Sequence, residues 1–341
     1  MRFTDKNLKV GVIGLGHQST EEYIPAIKVL QPIELVGVVE IDKQKLENFL
    51  KENKNVKGYT SFDDLIKNHR LDFIIIAVPH YLHYEFTKKA ILNKIHVFKE
   101  KPMAVSLAQA KELDALAKKN NIQVMVALQR RFNPIYSTFF QLIDKIGKVF
   151  YIEAKYTFFV DNPGEGWRGK KNLAGGGCVI DMGYHIIDLL IWYFGLPDKV
   201  LAEMSNQAKE EVTYDVEDTS QIIFKYEKKR IWGSLLISRV IPPKQEYINV
   251  YGTRGIIHLE REKIERYSPN GEVIESIKRE YNRSLPAQDM LEYFIKVIKG
   301  EKENISAPKF HFNNMAFIEA AYKSKEIGQF VDPKEVLKNE N

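Results

Sequence analysis

The sequence predicts an α/β chain of two domains: a doubly wound parallel sheet, then an α+β domain built on a large, mostly antiparallel open sheet. Three observations predict it. Short apolar runs alternate with amphipathic ones as far as Val126, and long alternating strands joined by short turns follow. The chain has 341 residues, and single cores split beyond roughly 250 to 300. The domains read as 1–126 and 127–341, with the C-terminal helix able to pack back on the first.

The first element lies in residues 8 to 19 (LKVGVIGLGHQS), where an apolar strand stops at Gly14 and Gly16 and opens a helix. Such a turn leaves backbone N–H groups at the positive end of a helix dipole, the environment a pyrophosphate needs. Gly14, Gly16, His17, Gln18 and Ser19 therefore read as a dinucleotide cradle, with Ser19 as a small residue at the third fingerprint position. GxG pairs also make ordinary tight turns. Further strands read at Glu34 to Val39, Phe73 to Val78, His96 to Phe98 and Gln123 to Val126. Helical stripes run over Asp42 to Lys51, Leu82 to Leu92 and Ser106 to Asn120, with Ser106 as an N-cap. This βαβ rhythm predicts parallel strands covered on both faces.

In such a sheet ligands bind outside the carboxyl ends of the strands, and the second strand ends in an acid roughly 20 residues past the glycines. Glu40 holds that place. Its carboxylate would accept from ribose hydroxyls and repel a 2′-phosphate, favouring NAD(H); Lys43 and Lys45 leave NADP(H) open. Glu40 or Asp42 also suits the cap of the next helix. Ala77-Val78-Pro79 and Glu100-Lys101 line the same crevice, with His83 at the start of a helix beside the cofactor. Lys101 is placed to polarise a substrate oxygen, or is a solvated lysine before a proline turn. His80 and His83 stand one turn apart without a carboxylate or thiolate partner, so no metal site is expected.

In the second domain, residues 133 to 145 read as a helix ended by Gly147. Strands follow at Val149 to Phe159, Val200 to Ser205, Thr219 to Lys225, Ile231 to Ser238, Tyr247 to Tyr251 and Gly255 to Leu259. They predict a sheet with one face free, a natural surface for a homodimer or homotetramer. Helices over Ser284 to Lys299 and Asn313 to Gly328 close the domain, and 239–245 and 282–286 read as substrate loops without a legible code.

Gly175 to Asp188 (GGGCVIDMGYHIID) is the other informative stretch. Read as one helix, it sets Asp181 and His185 at i and i+4 with Asp188 on the same side. Taking the proton from an alcohol during hydride transfer needs such an imidazole, oriented by a carboxylate. The pattern equally fits Asp181 complementing the helix N-terminus while His185 packs half-buried.

Lys and Arg total 50 against 45 acids, a formal +5, with no long basic run, which argues against nucleic acid. The single cysteine, Cys178, excludes an internal disulfide and fits a reducing compartment. Met1 to Asn7 is polar and charged, unlike a signal peptide, and no apolar run approaches the roughly 20 residues of a membrane span. A soluble, cytoplasmic protein is expected.

Over nearly its whole length the chain resembles the glucose-fructose oxidoreductase, inositol dehydrogenase and MocA family. Gly14 and Gly16 match the family's GxGxxG-type turn, and Glu100-Lys101-Pro102 its Glu-Lys-Pro motif. Gly175 to Asp188 matches its Gly-Gly-Gly-x-x-x-Asp-x-Gly-x-His-x-x-Asp stretch, and Gln129 to Pro134 (QRRFNP) its link between domains. The resemblance implies a Rossmann domain, NAD as cofactor with NADP second, and hydride transfer at one carbon of a sugar, cyclitol or nucleotide sugar. It implies that Lys101 polarises the reacting oxygen or donates a proton, that His185 is the general acid/base, and that Asp181 orients the substrate or the histidine. Gln129 joins the cofactor residues. Trp167 and Arg168 resemble a pair near the substrate, or else stack on one another; Tyr184 and Arg130 are further substrate candidates.

Past Gly16 the loop is one residue longer than is common in the family, and Glu21 and Glu22 stand early in the helix, where they would repel a pyrophosphate unless they point away. Two other functions fit the resemblance: a glycosidase that keeps NAD bound and acts by transient oxidation and elimination, and a non-catalytic dinucleotide-binding protein.

Overall fold

Six short strands form one sheet in the computed structural model, which describes residues 7–280 and 285–339. They are β1 (Leu8–Ile13), β2 (Ile33–Val39), β3 (Lys57–Tyr59), β4 (Phe73–Ile76), β5 (His96–Lys99) and β6 (Val124–Val126), ordered β3-β2-β1-β4-β5-β6. Every neighbouring pair is parallel. Val10, Val12, Phe73 to Ile76, Val97 and Phe98 are buried, as expected of a sheet with helices on both faces. The order reverses between β1 and β4, and their carboxyl ends form the crevice of a doubly wound nucleotide fold.

Periodicity picks out five of these strands. It passes over β3, which has three residues, none of them buried, at the sheet edge. The helix after it, Phe62–Asn68, carries its own signal in Ser61, whose Oγ accepts the Asp63 N–H at 3.1 Å. The helix Leu285–Ile298 joins this unit: Phe294 packs against Phe73 and Phe98, both at 5.7 Å between ring centroids. β6 gains a further partner in Ser306, whose carbonyl accepts the Val126 N–H at 3.0 Å. The first compact unit is Met1–Val105, Gln109–Gln129 and Asn282–Phe310; the second is Ser106–Ala108, Arg130–Tyr281 and His311–Asn341. An apolar stripe reports that a helix face is buried but not what buries it, so periodicity alone groups Leu285–Ile298 with the second domain.

The second unit is built on β7 (Val149–Phe159), β8 (Lys199–Ser205), β9 (Thr219–Tyr226), β10 (Ile231–Ser238), β11 (Val240–Gly252), β12 (Gly255–Glu260), β13 (Lys263–Tyr267) and β14 (Val273–Lys278). Their order is β14-β13-β12-β11-β7-β10-β9-β8. All pairings are antiparallel except β7 with β10. Ile152, Ala154, Leu235, Ile237, Ile248 and Val250 are buried, and the helices Gly183–Phe194 and Phe312–Ile327 pack against β7 and β8. The other face carries an aromatic cluster in which Trp232 and Tyr251 lie 4.6 and 5.5 Å from Tyr151. Trp232 is 51% exposed.

β13 and the largely exposed, charged β14 escape the periodic pattern, and β11 begins at Val240, inside the stretch read as a loop. A register shift between Val240 and Gln245, across Pro242 and Pro243, hides that start. The other loop, 282–286, lies in part outside the described residues. Among the described residues no single helix is long and apolar enough to cross a membrane.

Candidate functional site

At the carboxyl end of β1 the chain turns at Gly14 with φ +88°, and a Cβ there would stand 2.3 Å from the Ala77 carbonyl oxygen. The end of β4 therefore demands glycine. At Gly16 the reason differs: a Cβ would meet nothing within 4 Å, so the backbone borders open space that a phosphate can enter. A helix starts at once, with the Ser19 and Thr20 N–H groups donating to the Gly16 carbonyl at 3.0 and 3.1 Å. Its first-turn amides are the donors an anion needs. Ser19 is fully buried, as the small third position requires. One π-helical turn, Ser19–Tyr23, follows the glycines, in which Glu21 is exposed and Tyr23 turns into the core.

Glu40 follows β2, half-buried, and its two oxygens accept the Leu15 N–H at 2.9 Å and the Asp42 N–H at 3.0 Å. It thus ties the second strand to the glycine turn, and a carboxylate has acceptor capacity left for ribose hydroxyls. Asp42 caps the following helix through the Lys45 N–H at 3.1 Å, so the two acids divide the roles between them. The open side of Gly16, the helix start and Glu40 together fit a dinucleotide.

At the ends of β4 and β5 two expected cofactor residues, Glu100 and His83, are buried and bonded within the protein. Glu100 is buried, and its carboxylate accepts from the Tyr23 hydroxyl, from Gln18 Nε2 at 3.4 Å and from the Lys101 N–H at 3.2 Å. Burial, then the Glu100 charge, pushes the Tyr23 hydroxyl well up. His83 is fully buried, with Nε2 2.9 Å from the Val78 carbonyl and Nδ1 2.8 Å from the Pro102 carbonyl and 3.0 Å from Lys99 Nζ. Burial, then Lys99, pushes its imidazole well down. Both side chains brace the crevice from within, their polar atoms engaged by the protein.

Lys99 is the residue that sequence reasoning missed. It ends β5 with no exposed surface, and its ammonium meets His83 Nδ1 at 3.0 Å and the Pro102 and Met103 carbonyls at 2.8 and 2.6 Å. Burial pushes this lysine well below its ordinary range. The clamp holds the backbone just beyond Lys101, whose own side chain is half-buried. A lysine closing an otherwise apolar strand is the signal that it must find buried partners. A cleft of about 820 Å³ lined by His69, Asp72, Lys94, His96 and Gln123 opens at the opposite end of this sheet and takes no part in the crevice.

In the second unit the glycine triplet serves close packing. A Cβ on Gly176 would lie 1.9 Å from the Tyr322 hydroxyl, and one on Gly177 2.0 Å from the Glu217 carbonyl oxygen. The Glu217 carboxylate accepts the Gly177 and Val179 N–H groups at 2.8 and 3.0 Å and the Tyr322 hydroxyl at 2.8 Å, and burial pushes its pKa up. The helix seated there is not continuous: Lys171–Asp181 meets Gly183–Phe194 at 51°. Between Cys178 and Ile191 every residue is buried except Asp181 and His185.

Asp188 leaves the face assigned to it. It is buried, accepts Arg131 Nη2 at 2.7 Å and Nε at 2.9 Å, and takes Asn314 Nδ2 at 2.9 Å. Two substrate candidates are likewise corrected. Tyr184 is fully buried with its hydroxyl 2.8 Å from His311 Nδ1, and Arg130 is buried on Glu246, over the Tyr156 ring. Arg168 does stack on Trp167, at 4.5 Å, and its Nε lies 3.3 Å from Asp181 Oδ2. Arg239, at the start of the uncoded stretch 239–245, reaches the same oxygen at 3.6 Å. Lys101 and Gln129 belong to the first unit, Asp181 and His185 to the second. No cluster of three or more His, Cys, Asp or Glu able to hold a metal occurs among the described residues.

Comparisons with known proteins follow this geometry. A family model described as an oxidoreductase family with an NAD-binding Rossmann fold matches residues 8–128, and one described as a GFO/IDH/MocA C-terminal domain matches residues 138–258. Uncharacterized oxidoreductases of Schizosaccharomyces pombe and Synechocystis are each 30% identical over 64% and 58% of this chain, which spans 60% and 54% of their lengths. The trans-1,2-dihydrobenzene-1,2-diol dehydrogenase of Xenopus laevis is 28% identical over 74% of each chain. A levoglucosan dehydrogenase solved with NADH and levoglucosan has a TM-score of 0.85 at 19% identity, covering 96% of this chain and 99% of its own. That likeness is one of fold.

Proposed function

The chain belongs to the GFO/IDH/MocA family of oxidoreductases with an NAD-binding Rossmann domain, and on that premise we propose that it moves a hydride at a CH–OH carbon of a sugar-like substrate. One observation carries this reading: Asp181 and His185 alone break the burial of the segment from Cys178 to Ile191. Proton exchange with a substrate requires the access that these two side chains keep in an otherwise buried segment. Bound NAD(H) supplies the hydride acceptor or donor. Gly14, Gly16, His17, Gln18, Ser19 and Glu40 would hold it, with Ala77 to Pro79 lining the strand ends and Gln129 beside them. His185 takes the hydroxyl proton in oxidation and returns it in reduction, Asp181 orients substrate and imidazole, and Lys101 hydrogen-bonds the reacting oxygen. The glycine triplet and Glu217 keep Asp181 and His185 in place, and Lys99 and His83 keep the Lys101 backbone in place. The names of the Xenopus diol dehydrogenase and of the levoglucosan dehydrogenase support a ring carbinol as substrate.

His185→Ala tests the assignment. Turnover with NAD and a panel of sugars should fall roughly 10²- to 10⁴-fold while NADH affinity stays unchanged. Unchanged turnover would make His185 a packing residue. Release of nitrophenol from a glycoside without added redox partner would establish the elimination route instead.

A further inference from the structure

One buried carboxylate joins the helix that follows the glycine turn to the segment that carries Lys101. Glu100 comes directly after β5 and is 7% exposed; its Oε1 accepts from the Tyr23 hydroxyl and, at 3.4 Å, from Gln18 Nε2. Its Oε2 accepts the Lys101 N–H at 3.2 Å, and its own N–H donates to the Ile76 carbonyl at 2.9 Å. Gln18 and Tyr23 belong to the helix start just past Gly16, so a side chain at the end of β5 answers groups that follow β1. In the sheet order β4 stands between those two strands. The carboxylate therefore straps the turn after β1 to the end of β5, past the end of β4.

Tyr23 is the main partner on the turn side. It is fully buried, and its ring packs edge-on against Phe98 at 5.4 Å between centroids. A phenylalanine would make the same ring contact; the hydroxyl adds a charge-assisted bond to Glu100, roughly twice as strong as a neutral one. Burial and the Glu100 charge keep that hydroxyl protonated, so it donates at any working pH. On the other side of Lys101 the Lys99 ammonium holds the Pro102 and Met103 carbonyls. That clamp is local to its own stretch of chain, whereas Glu100 reaches the helix whose first-turn amides suit a pyrophosphate. Misplacing a reacting group by about 1 Å can cost on the order of 100-fold in rate, so a fixed link between cradle and Lys101 matters to the chemistry. Resting on the reading that Gly14 to Ser19 hold NADH and Lys101 meets the substrate, we propose that Tyr23 is a positioning residue. Acting through Glu100, it passes the ordering of the turn by bound cofactor to the Lys101 backbone.

Backbone amide exchange of the full chain, with and without saturating NADH, tests this; mass spectrometry reads peptides spanning Glu100 and Lys101, and a fluorescence titration reads NADH binding. In wild type NADH should slow exchange there at least about fivefold. Tyr23→Phe, which keeps the ring and removes only the hydroxyl, should abolish most of that slowing, while exchange in β2 stays within about twofold of wild type. Glu100→Ala should lose the slowing too, and adding Tyr23→Phe to it should change nothing more, which two independent packing defects would not reproduce. Slowing that survives in Tyr23→Phe, a further loss in the double variant, or NADH binding to wild type without slowing at Lys101 overturns the proposal. Absence of NADH binding by the wild-type protein would instead defeat the oxidoreductase reading on which it rests.

Discussion

Alanine at Gly14 and alanine at Gly16, two residues apart in one turn, should fail in different ways. At Gly14 an alanine must hold φ +88°, which costs about 1 kcal/mol relative to glycine. Its Cβ would also lie 2.3 Å from the Ala77 carbonyl, more than an ångström inside ordinary contact, and overpacking of that kind costs about 1–3 kcal/mol. The unfolding midpoint of Gly14→Ala should therefore drop by roughly 4–15 °C. At Gly16 there is neither positive φ nor a neighbour within 4 Å, so stability should change by no more than about 0.5 kcal/mol. The new methyl group would instead stand where the pyrophosphate approaches, and NADH affinity should fall at least about tenfold. Thermal unfolding followed by circular dichroism and a fluorescence titration with NADH separate the two effects. NADH affinity within twofold of wild type in Gly16→Ala would refute the cradle. A Gly14→Ala variant as stable as wild type would refute the packing of the turn on β4.

Glu40→Ala should weaken NADH more than NADPH in parallel titrations, because a carboxylate facing the ribose would also repel a 2′-phosphate; equal weakening would place the ribose contact elsewhere. Lys99→Met should change how stability depends on pH. With the Lys99 pKa lowered by burial, the unfolded chain binds a proton that the folded chain does not, between the lowered value and 10.5, so wild-type stability rises with pH across that window. The stability of wild type relative to Lys99→Met in urea should thus rise as the pH climbs toward 10.5; a pH-independent difference would mean the Lys99 amine is not desolvated. The exposed aromatic face around Tyr151, Trp232 and Tyr251 is proposed as a self-association surface, and light scattering should find a dimer or tetramer that Trp232→Glu dissociates. A wild-type monomer at working concentration would end that idea.

Legibility in the sequence followed locality. β1, the glycine turn, the βαβ rhythm and the alternating strands from Val149 to Leu259 were all readable, because periods of 2 and 3.6 and a glycine pair are local properties. Asp181 and His185 were readable as a spacing, although the bend at Met182 that separates them was not. β3 and β14 were too short or too exposed to leave a pattern, and the start of β11 was masked by two prolines.

The sequence by itself determined a doubly wound nucleotide unit followed by a mostly antiparallel one, and it supplied the chemistry-bearing side chains. Tertiary structure alone decided their partners. It put His83 and Lys99 on backbone carbonyls, Glu100 on Tyr23, Arg130 on Glu246, Asp188 on Arg131 and Arg239 beside Asp181. A buried polar group must be satisfied by whatever the fold brings within about 3 Å, and that neighbour is often a hundred residues away in the chain.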